Sequence, residues 1–150
     1  MKNPLSLHFL ILLLSLSLSG FAGNVSAAEQ PAGVPATREK VVLQVSDSVP
    51  AKWSLTLNNA RNALEALGKG NIDIEIVAYG PGIEMLRAGS EAGARIAQAQ
   101  SDGIKVVACQ NTMRGMKLAE SDMLPSIGYV PSGVVELIEK QKEGWSYIHP

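Results

Sequence analysis

Strand-like and helix-like segments alternate along the chain between residues 39 and 150, and this alternation constrains the fold more than any other feature. Five short apolar runs have the length and the β-branched or alternating composition of strands. The segments between them repeat apolar residues at spacings of three and four, or are rich in alanine, as helices are. We therefore predict an α/β fold: an open three-layer α/β/α domain in which five mostly parallel strands lie between helices.

The boundaries of these predicted elements follow from the apolar spacing and from glycine, proline and polar residues at the turns. The predicted strands are residues 41–45, 72–79, 104–108, 126–130 and 145–148. The predicted helices are residues 53–67, residues 88–100, a third from a cap at Asn111 or Thr112 to about Glu120, and a fourth from a cap at Ser132 to Lys142.

The first 27 residues have the three-part layout of a secretory signal peptide. Lys2 supplies the basic start, an apolar core runs from Leu5 to Leu18, and Val25-Ser26-Ala27 offers small residues for cleavage after Ala27. A membrane anchor is the alternative, but a spanning helix needs about 20 apolar residues and this core is shorter and diluted by serine. We therefore predict an exported protein, periplasmic or secreted, that is free of the membrane after cleavage.

The chain after the signal peptide divides into a tether and one domain. Residues 28–38 contain two prolines and a glycine without apolar periodicity, which predicts a flexible tether. Residues 39–150 have the length of a single domain. The whole chain has 13 basic and 14 acidic residues and no basic cluster, which gives nucleic-acid binding no electrostatic support.

The cysteine and histidine content limits the chemistry of the domain. Cys109 is the only cysteine, so it is free, bound to a metal or paired with an external thiol. Only His149 follows the signal peptide, which disfavours a Ser-His-Asp hydrolase and a histidine metal site. Met113 and Met116 are soft ligands that suit Cu(I), but helical methionines more often fill a core. We predict neither a metal nor a cofactor.

Ligands of open parallel sheets bind beyond the carboxyl ends of the strands, and Cys109 lies at such an end, just before a predicted helix. Backbone N–H groups at a helix start favour a thiolate over a thiol, and Arg114 and Lys117 in the first turns would add to this. The alternative is a structural cysteine packed in the core, where free cysteines are often found. Position alone leaves both interpretations open.

Two further polar features are a glycine-rich turn after the second predicted strand and an asparagine cluster on the first predicted helix. The Gly80-Pro81-Gly82 turn follows a strand and could hold an anion, but Met85 stands where a dinucleotide fingerprint has its third glycine, and a plain tight turn is the simpler interpretation. Asn58, Asn59 and Asn62 cluster on the first helix, where asparagine is a mediocre helix former. They could bond a neighbouring loop or subunit, or be solvated.

Six short motifs span the domain. They are Asp47 with Pro50-Ala51-Lys52-Trp53, then Leu57-Asn58-Asn59-Ala60-Arg61-Asn62, Val77-Ala78-Tyr79-Gly80-Pro81-Gly82, Ala108-Cys109-Gln110-Asn111-Thr112-Met113, Val130-Pro131-Ser132-Gly133-Val134-Val135-Glu136 and Glu143-Gly144-Trp145-Ser146-Tyr147-Ile148. In this order and spacing the chain resembles the DsrE/DsrF-like family of small sulfur-handling α/β proteins. The resemblance implies a five-stranded parallel sheet, a homotrimer or hexamer, and a cysteine at position 109 that accepts sulfane sulfur as a persulfide.

The first functional hypothesis is a sulfur-carrier or thiol-transfer protein that uses Cys109 with an external sulfur donor and acceptor. Its substrate-binding residues would be Gly80, Gly82, Asn111, Thr112 and Ser132. The second hypothesis is a module of the same fold that binds a small molecule or an anion without chemistry. The third is a structural component of an oligomer. A reactive Cys109 separates the first hypothesis from the other two.

Overall fold

The structure, a computed structural model, describes residues 38–150. Its strands are β1 (Glu39–Val45), β2 (Ile72–Ala78), β3 (Lys105–Cys109), β4 (Gly128–Val130) and β5 (Ser146–Ile148), and its α-helices are α1 (Pro50–Leu67), α2 (Gly93–Ser101), α3 (Gln110–Gly115) and α4 (Gly133–Lys142). Two short 3-10 helices span Gly80–Leu86 and Glu120–Asp122. The signal peptide predicted over residues 1–27 and, except for Arg38, the tether predicted over residues 28–38 lie outside the described residues.

The five strands form one sheet in the order β4-β3-β2-β1-β5, and every neighbouring pair is parallel. The predicted α/β fold with a five-stranded sheet is therefore confirmed. The chain steps outward from β1 to β4 and then crosses the sheet to place β5 beside β1. This crossing separates the last helix from the others, because right-handed crossovers in opposite directions run over opposite faces.

The two faces of the sheet carry separate apolar clusters, since alternate residues of a strand point to opposite sides. The larger cluster joins strand residues such as Leu43 and Ile76 to Trp53 of α1 and Ile96 of α2. The smaller cluster lies under α4 and consists of Val42, Val77, Val107, Val130 and Leu137. Cys109 follows Val107 by two positions on β3 and therefore shares the face that α4 covers.

The structure moves the boundaries of three predicted helices, the first of which begins at Pro50 rather than at Trp53. The second helix begins at Gly93 rather than Ala88, because Gly89 adopts a φ of +84° and the N–H of Ala88 donates to the carbonyl of Asp122 instead of entering a helix. The third ends at Gly115 instead of running to Glu120, and Lys117 has a left-handed φ of +54° that a continuing helix excludes. Within residues 38–150, no helix is long and apolar enough to cross a membrane.

Candidate functional site

Cys109 is both the last residue of β3 and the residue that caps α3. Its Sγ accepts a hydrogen bond from the backbone N–H of Thr112 at 3.5 Å. The prediction that Asn111 or Thr112 caps this helix is wrong, because the strand passes into the helix without a loop and the thiol itself occupies the cap position. The side chain that was predicted to react is thereby held at the start of a helix.

The start of α4 approaches the same sulfur from the other side. The backbone N–H of Gly133, the first residue of α4, lowers the pKa of the Cys109 thiol. The carbonyl of Pro131, just before α4, accepts the N–H of Asn111 at 3.2 Å and so ties the two helix starts together. Position 133 requires glycine, since a Cβ there would lie 2.9 Å from the Cβ of Tyr79.

Thr112 contributes its side chain to the site as well as its backbone. The threonine hydroxyl accepts the N–H of Gly80 at 2.9 Å, and its hydrogen bonding lowers the pKa of the Cys109 thiol. A hydroxyl has one proton to donate and two lone pairs that accept, so both bonds form at once. Gly80 therefore orients the group that bonds the sulfur.

Burial and hydrogen bonding act in opposite directions on the Cys109 thiol. Cys109 is only 4% exposed, and this burial raises the pKa of its thiol. Bonds from the Thr112 side chain and from the N–H groups of Gly133, Thr112 and Asn111 stabilise the thiolate, and the pKa is lowered overall. These principal donors are uncharged. Arg114, expected to help, is exposed and bonds the side-chain oxygen of Asn111.

The remaining predicted substrate-binding residues surround this site in different roles. The N–H of Gly82 donates to the carbonyl of Tyr79, and a Cβ at Gly82 would lie 2.2 Å from the carbonyl oxygen of Val45, so packing against β1 requires this glycine. Ser132 occupies the cap position of α4, as predicted, but its side chain makes no capping bond. Direct substrate binding by Gly80, Gly82, Asn111, Thr112 and Ser132 stays a prediction.

Tyr79 is a neighbour of the site that the sequence reasoning did not select. Ala78 pairs with Ala108, so Tyr79 follows beside Cys109 on the adjacent strand, and its ring packs against Gly133. Burial raises the pKa of Tyr79, nearby Tyr147 adds to this effect, and a hydrogen bond with Gln44 opposes it. Tyr79 could have been predicted from the alternation of residues along β2, because this alternation places its side chain on the same face of the sheet as Cys109.

The loop after β1 is fixed by the first of the six motifs. The Asp47 carboxylate accepts a hydrogen bond from the Lys52 ammonium group at 2.8 Å, and the Trp53 indole N–H donates to the Asp47 carbonyl at 2.6 Å. The residues that begin α1 thus hold the loop that precedes it, at the carboxyl edge where Cys109 lies.

One of the three asparagines clustered on α1, Asn58, makes a hydrogen bond within the chain. The side-chain oxygen of Asn58 accepts a hydrogen bond from the Arg95 guanidinium at 2.8 Å, which joins α1 to α2. Asn58 therefore requires no subunit contact to account for it. Asn59 is half-buried and Asn62 is exposed on the same helix.

Comparison with known proteins adds a family and a fold. The sequence profile of the DsrE/DsrF-like family matches residues 39–150. The solved structure of a protein of unknown function from Methanobacterium thermoautotrophicum is similar with a TM-score of 0.72 and 32% identity, over 75% of this chain and 99% of that one. A conserved protein of unknown function from Bacteroides thetaiotaomicron shares the fold, with a TM-score of 0.61 and 17% identity over 79% of this chain and all of that one. No protein with a curated description matches.

Proposed function

The chain belongs to the DsrE/DsrF-like family, which is generally linked to sulfur relay, and from that premise we propose that it carries sulfane sulfur on Cys109. The observation that carries the proposal is the place of Cys109 at the start of α3, where the N–H of Thr112 donates to Sγ at 3.5 Å, beside the start of α4 that the Asn111–Pro131 bond ties to it. Uncharged groups of α3 and α4, and the Thr112 hydroxyl to which Gly80 donates, lower the pKa of the thiol. Donors in this number stabilise an anion at Sγ, and the thiolate is the nucleophilic form of cysteine.

The loading step is a substitution at sulfur. The Cys109 thiolate attacks the terminal sulfur of a persulfide or polysulfide donor, the new bond joins Sγ to that sulfur, and the donor's sulfur–sulfur bond breaks. The bonding pair leaves with the donor as its thiolate, while the transferred sulfur keeps its proton. Unloading is the same step in reverse: an external thiolate attacks the outer sulfur and Cys109 leaves as a thiolate.

The burial of Cys109 is compatible with this chemistry because the reacting atom of the product lies farther out. A second sulfur extends about 2 Å beyond Sγ. Asn111 and Pro131 at the rim of the site are exposed, and Ser132 is half-buried. The donor we propose is therefore a thin one, such as a linear polysulfide or the end of a persulfide chain. Bulky electrophiles would be excluded, which protects the thiol from other reactions.

The test is the mass of the protein after incubation with inorganic polysulfide. The mature chain is expected to gain about 32 Da, one sulfur atom, and to lose it again on addition of a small thiol. Cys109→Ser keeps the size of the side chain and removes the nucleophile, so it should gain nothing. A wild-type protein that remains unmodified, with a thiol that titrates near the ordinary cysteine pKa of about 8.5, contradicts the proposal.

The proposal extends to where the protein works and with what. The layout of residues 1–27 supports export and a mature chain that starts at Ala28, in the periplasm or outside the cell. The family resemblance supports a homotrimer or hexamer. Since Cys109 is the only cysteine, no second thiol of the chain can take the sulfur, and both the donor and the acceptor are external molecules.

A further inference from the structure

Glu75 is the one charged residue that is fully buried within residues 38–150. It lies on β2, its side chain is 3% exposed, and it faces α4. Its Oε2 lies 3.3 Å from the Nζ of Lys140 on α4. Lys140 in turn lies 3.5 Å from a carboxylate oxygen of Glu136 and 4.5 Å from the centre of the Trp145 ring.

Stability does not explain why a carboxylate is buried at this place. Removing two charges from water costs several kcal/mol per ion, and replacing a buried pair by apolar residues is often neutral or stabilising. Here the other oxygen, Oε1, has no hydrogen-bond partner within the described chain, and the Trp145 indole N–H is likewise unpaired. Burial raises the pKa of Glu75 more than Lys140 lowers it. Such a pair is better suited to fixing a geometry.

The geometry concerned is the position of α4 along β2, where the two elements meet at three levels. Gly133 packs on Tyr79 at the carboxyl edge, Leu137 and Val77 share the apolar cluster one turn below, and Lys140 reaches Glu75 at the lowest level. From Gly133 to Lys140 the helix rises about 10 Å, and from Tyr79 to Glu75 the strand covers about 13 Å. The two elements therefore keep approximately in step over this length.

We propose that the Glu75–Lys140 pair is a positioning device: it fixes where α4 lies along β2 and thereby holds the Gly133 N–H against Cys109 Sγ. Apolar contacts such as that of Leu137 are non-directional and tolerate sliding. Separating a buried ion pair leaves two uncompensated charges and is strongly destabilising, and register selection is the best-attested role of buried polar groups. Glu75 and Lys140 thus act on the thiol through the helix, without touching it.

The test replaces the pair by apolar side chains of similar length, in the variant Glu75→Leu/Lys140→Met, and follows the thiolate absorbance of the full mature chain against pH. With the pair gone, α4 is free to shift and the bond from Gly133 weakens. We expect the pKa of Cys109 to rise by about one, a roughly tenfold lower thiolate fraction at neutral pH. The matched control is Glu139→Gln/Lys142→Met, which removes an exposed pair of the same helix, 2.9 Å apart, and should leave the pKa unchanged.

The inference rests on Cys109 being the functional thiol, but its readout does not require sulfur transfer. A folded double variant whose thiol pKa equals the wild-type value overturns it and leaves the proposed function standing. A wild-type thiol of ordinary pKa contradicts the proposed function instead. If the double variant does not fold, Lys140→Arg keeps the charge but seats a larger head group at Glu75. It should raise the pKa by a smaller amount, and an unchanged pKa in folded Lys140→Arg also overturns the inference.

Discussion

Replacing Thr112 by valine removes one hydroxyl and with it two hydrogen bonds at the candidate site. The hydroxyl accepts the N–H of Gly80 at 2.9 Å and lowers the pKa of the Cys109 thiol by hydrogen bonding, while the backbone N–H of Thr112 still reaches Sγ in the variant. Valine has the same branched shape, so the packing around position 112 is preserved. Thr112→Ser is the matched control, because it keeps the hydroxyl and loses only a methyl group.

The magnitude follows from the kind of bond that is lost. A hydrogen bond to a charged group contributes about 1.5–3 kcal/mol, and one pKa unit corresponds to about 1.4 kcal/mol. The pKa of Cys109 in Thr112→Val should therefore rise by about one to two. The unpaired Gly80 N–H lowers the free energy of unfolding by about 1 kcal/mol, the low end of the range for a lost partner, because Gly80 is only half-buried and water reaches it.

The same bond gives stability a dependence on pH. In the wild-type protein the folded-state pKa of Cys109 lies below the unfolded value of about 8.5, so between these two values the unfolded chain binds more protons. Stability therefore rises with pH through this window and loses that gain as the pH falls through the folded pKa. In Thr112→Val the folded pKa of Cys109 moves closer to the unfolded value. The pH range over which stability rises is therefore narrower, and the gain in stability across it is smaller.

Two measurements check this prediction: thiolate absorbance against pH for the folded protein, and urea unfolding at several pH values across the window. The expected order of thiol pKa is wild type close to Thr112→Ser, with Thr112→Val clearly higher. Equal pKa values in wild type and Thr112→Val would refute the reasoning, because they would show that the hydroxyl does not bond the thiolate. A pKa as high in Thr112→Ser as in Thr112→Val would also contradict the reasoning, because serine keeps the hydroxyl.

Three further predictions follow from the packing and from the proposals. Gly82→Ala should fail to fold or lose several kcal/mol in urea unfolding, since its Cβ would lie 2.2 Å from the carbonyl oxygen of Val45, whereas Gly115→Ala in open space should be neutral or stabilising by up to about 1 kcal/mol. N-terminal sequencing of the exported protein should begin at Ala28, and a chain that keeps Met1 would contradict cleavage. Light scattering of the mature protein at micromolar concentration should give the mass of a trimer or hexamer, and a monomer mass would count against assembly.

The fold was predictable because its signals are local. Each strand is a short apolar run, and β-branched side chains are stiff and favour extended backbone, as in Val41 and Val42. Glycine ends α1 at Gly68, where a φ of +88° excludes most other residues. The alternation of these elements then determined the parallel sheet. The boundary that failed at Ala88 depends on a bond to distant Asp122, and the one after Gly115 on the left-handed backbone of Lys117, neither of which apolar spacing reports.

The candidate site was predictable in part. The rule that ligands bind at the carboxyl ends of parallel strands selected Cys109 and the loops around it. The sequence suggested basic side chains as the cause of a reactive thiol, whereas the structure shows mainly uncharged donors, among them Gly133, which lies 24 residues later in the chain. Backbone N–H groups carry no residue-type signature, so only the three-dimensional arrangement could show them.

The order of elements along the chain also decides when the thiol acquires its properties. Cys109 is made before α4, and β5, the strand that follows α4, pairs with β1 at the other end of the domain. Because contacts between segments so distant in sequence carry the largest loop-closure entropy, we expect β5 and α4 to dock late in folding. Until then the thiol lacks the Gly133 bond and is an ordinary cysteine with a mostly protonated sulfur at neutral pH. The domain therefore ties the reactivity of its one cysteine to the completion of its own folding, and an unfinished or unfolded chain carries a comparatively inert thiol.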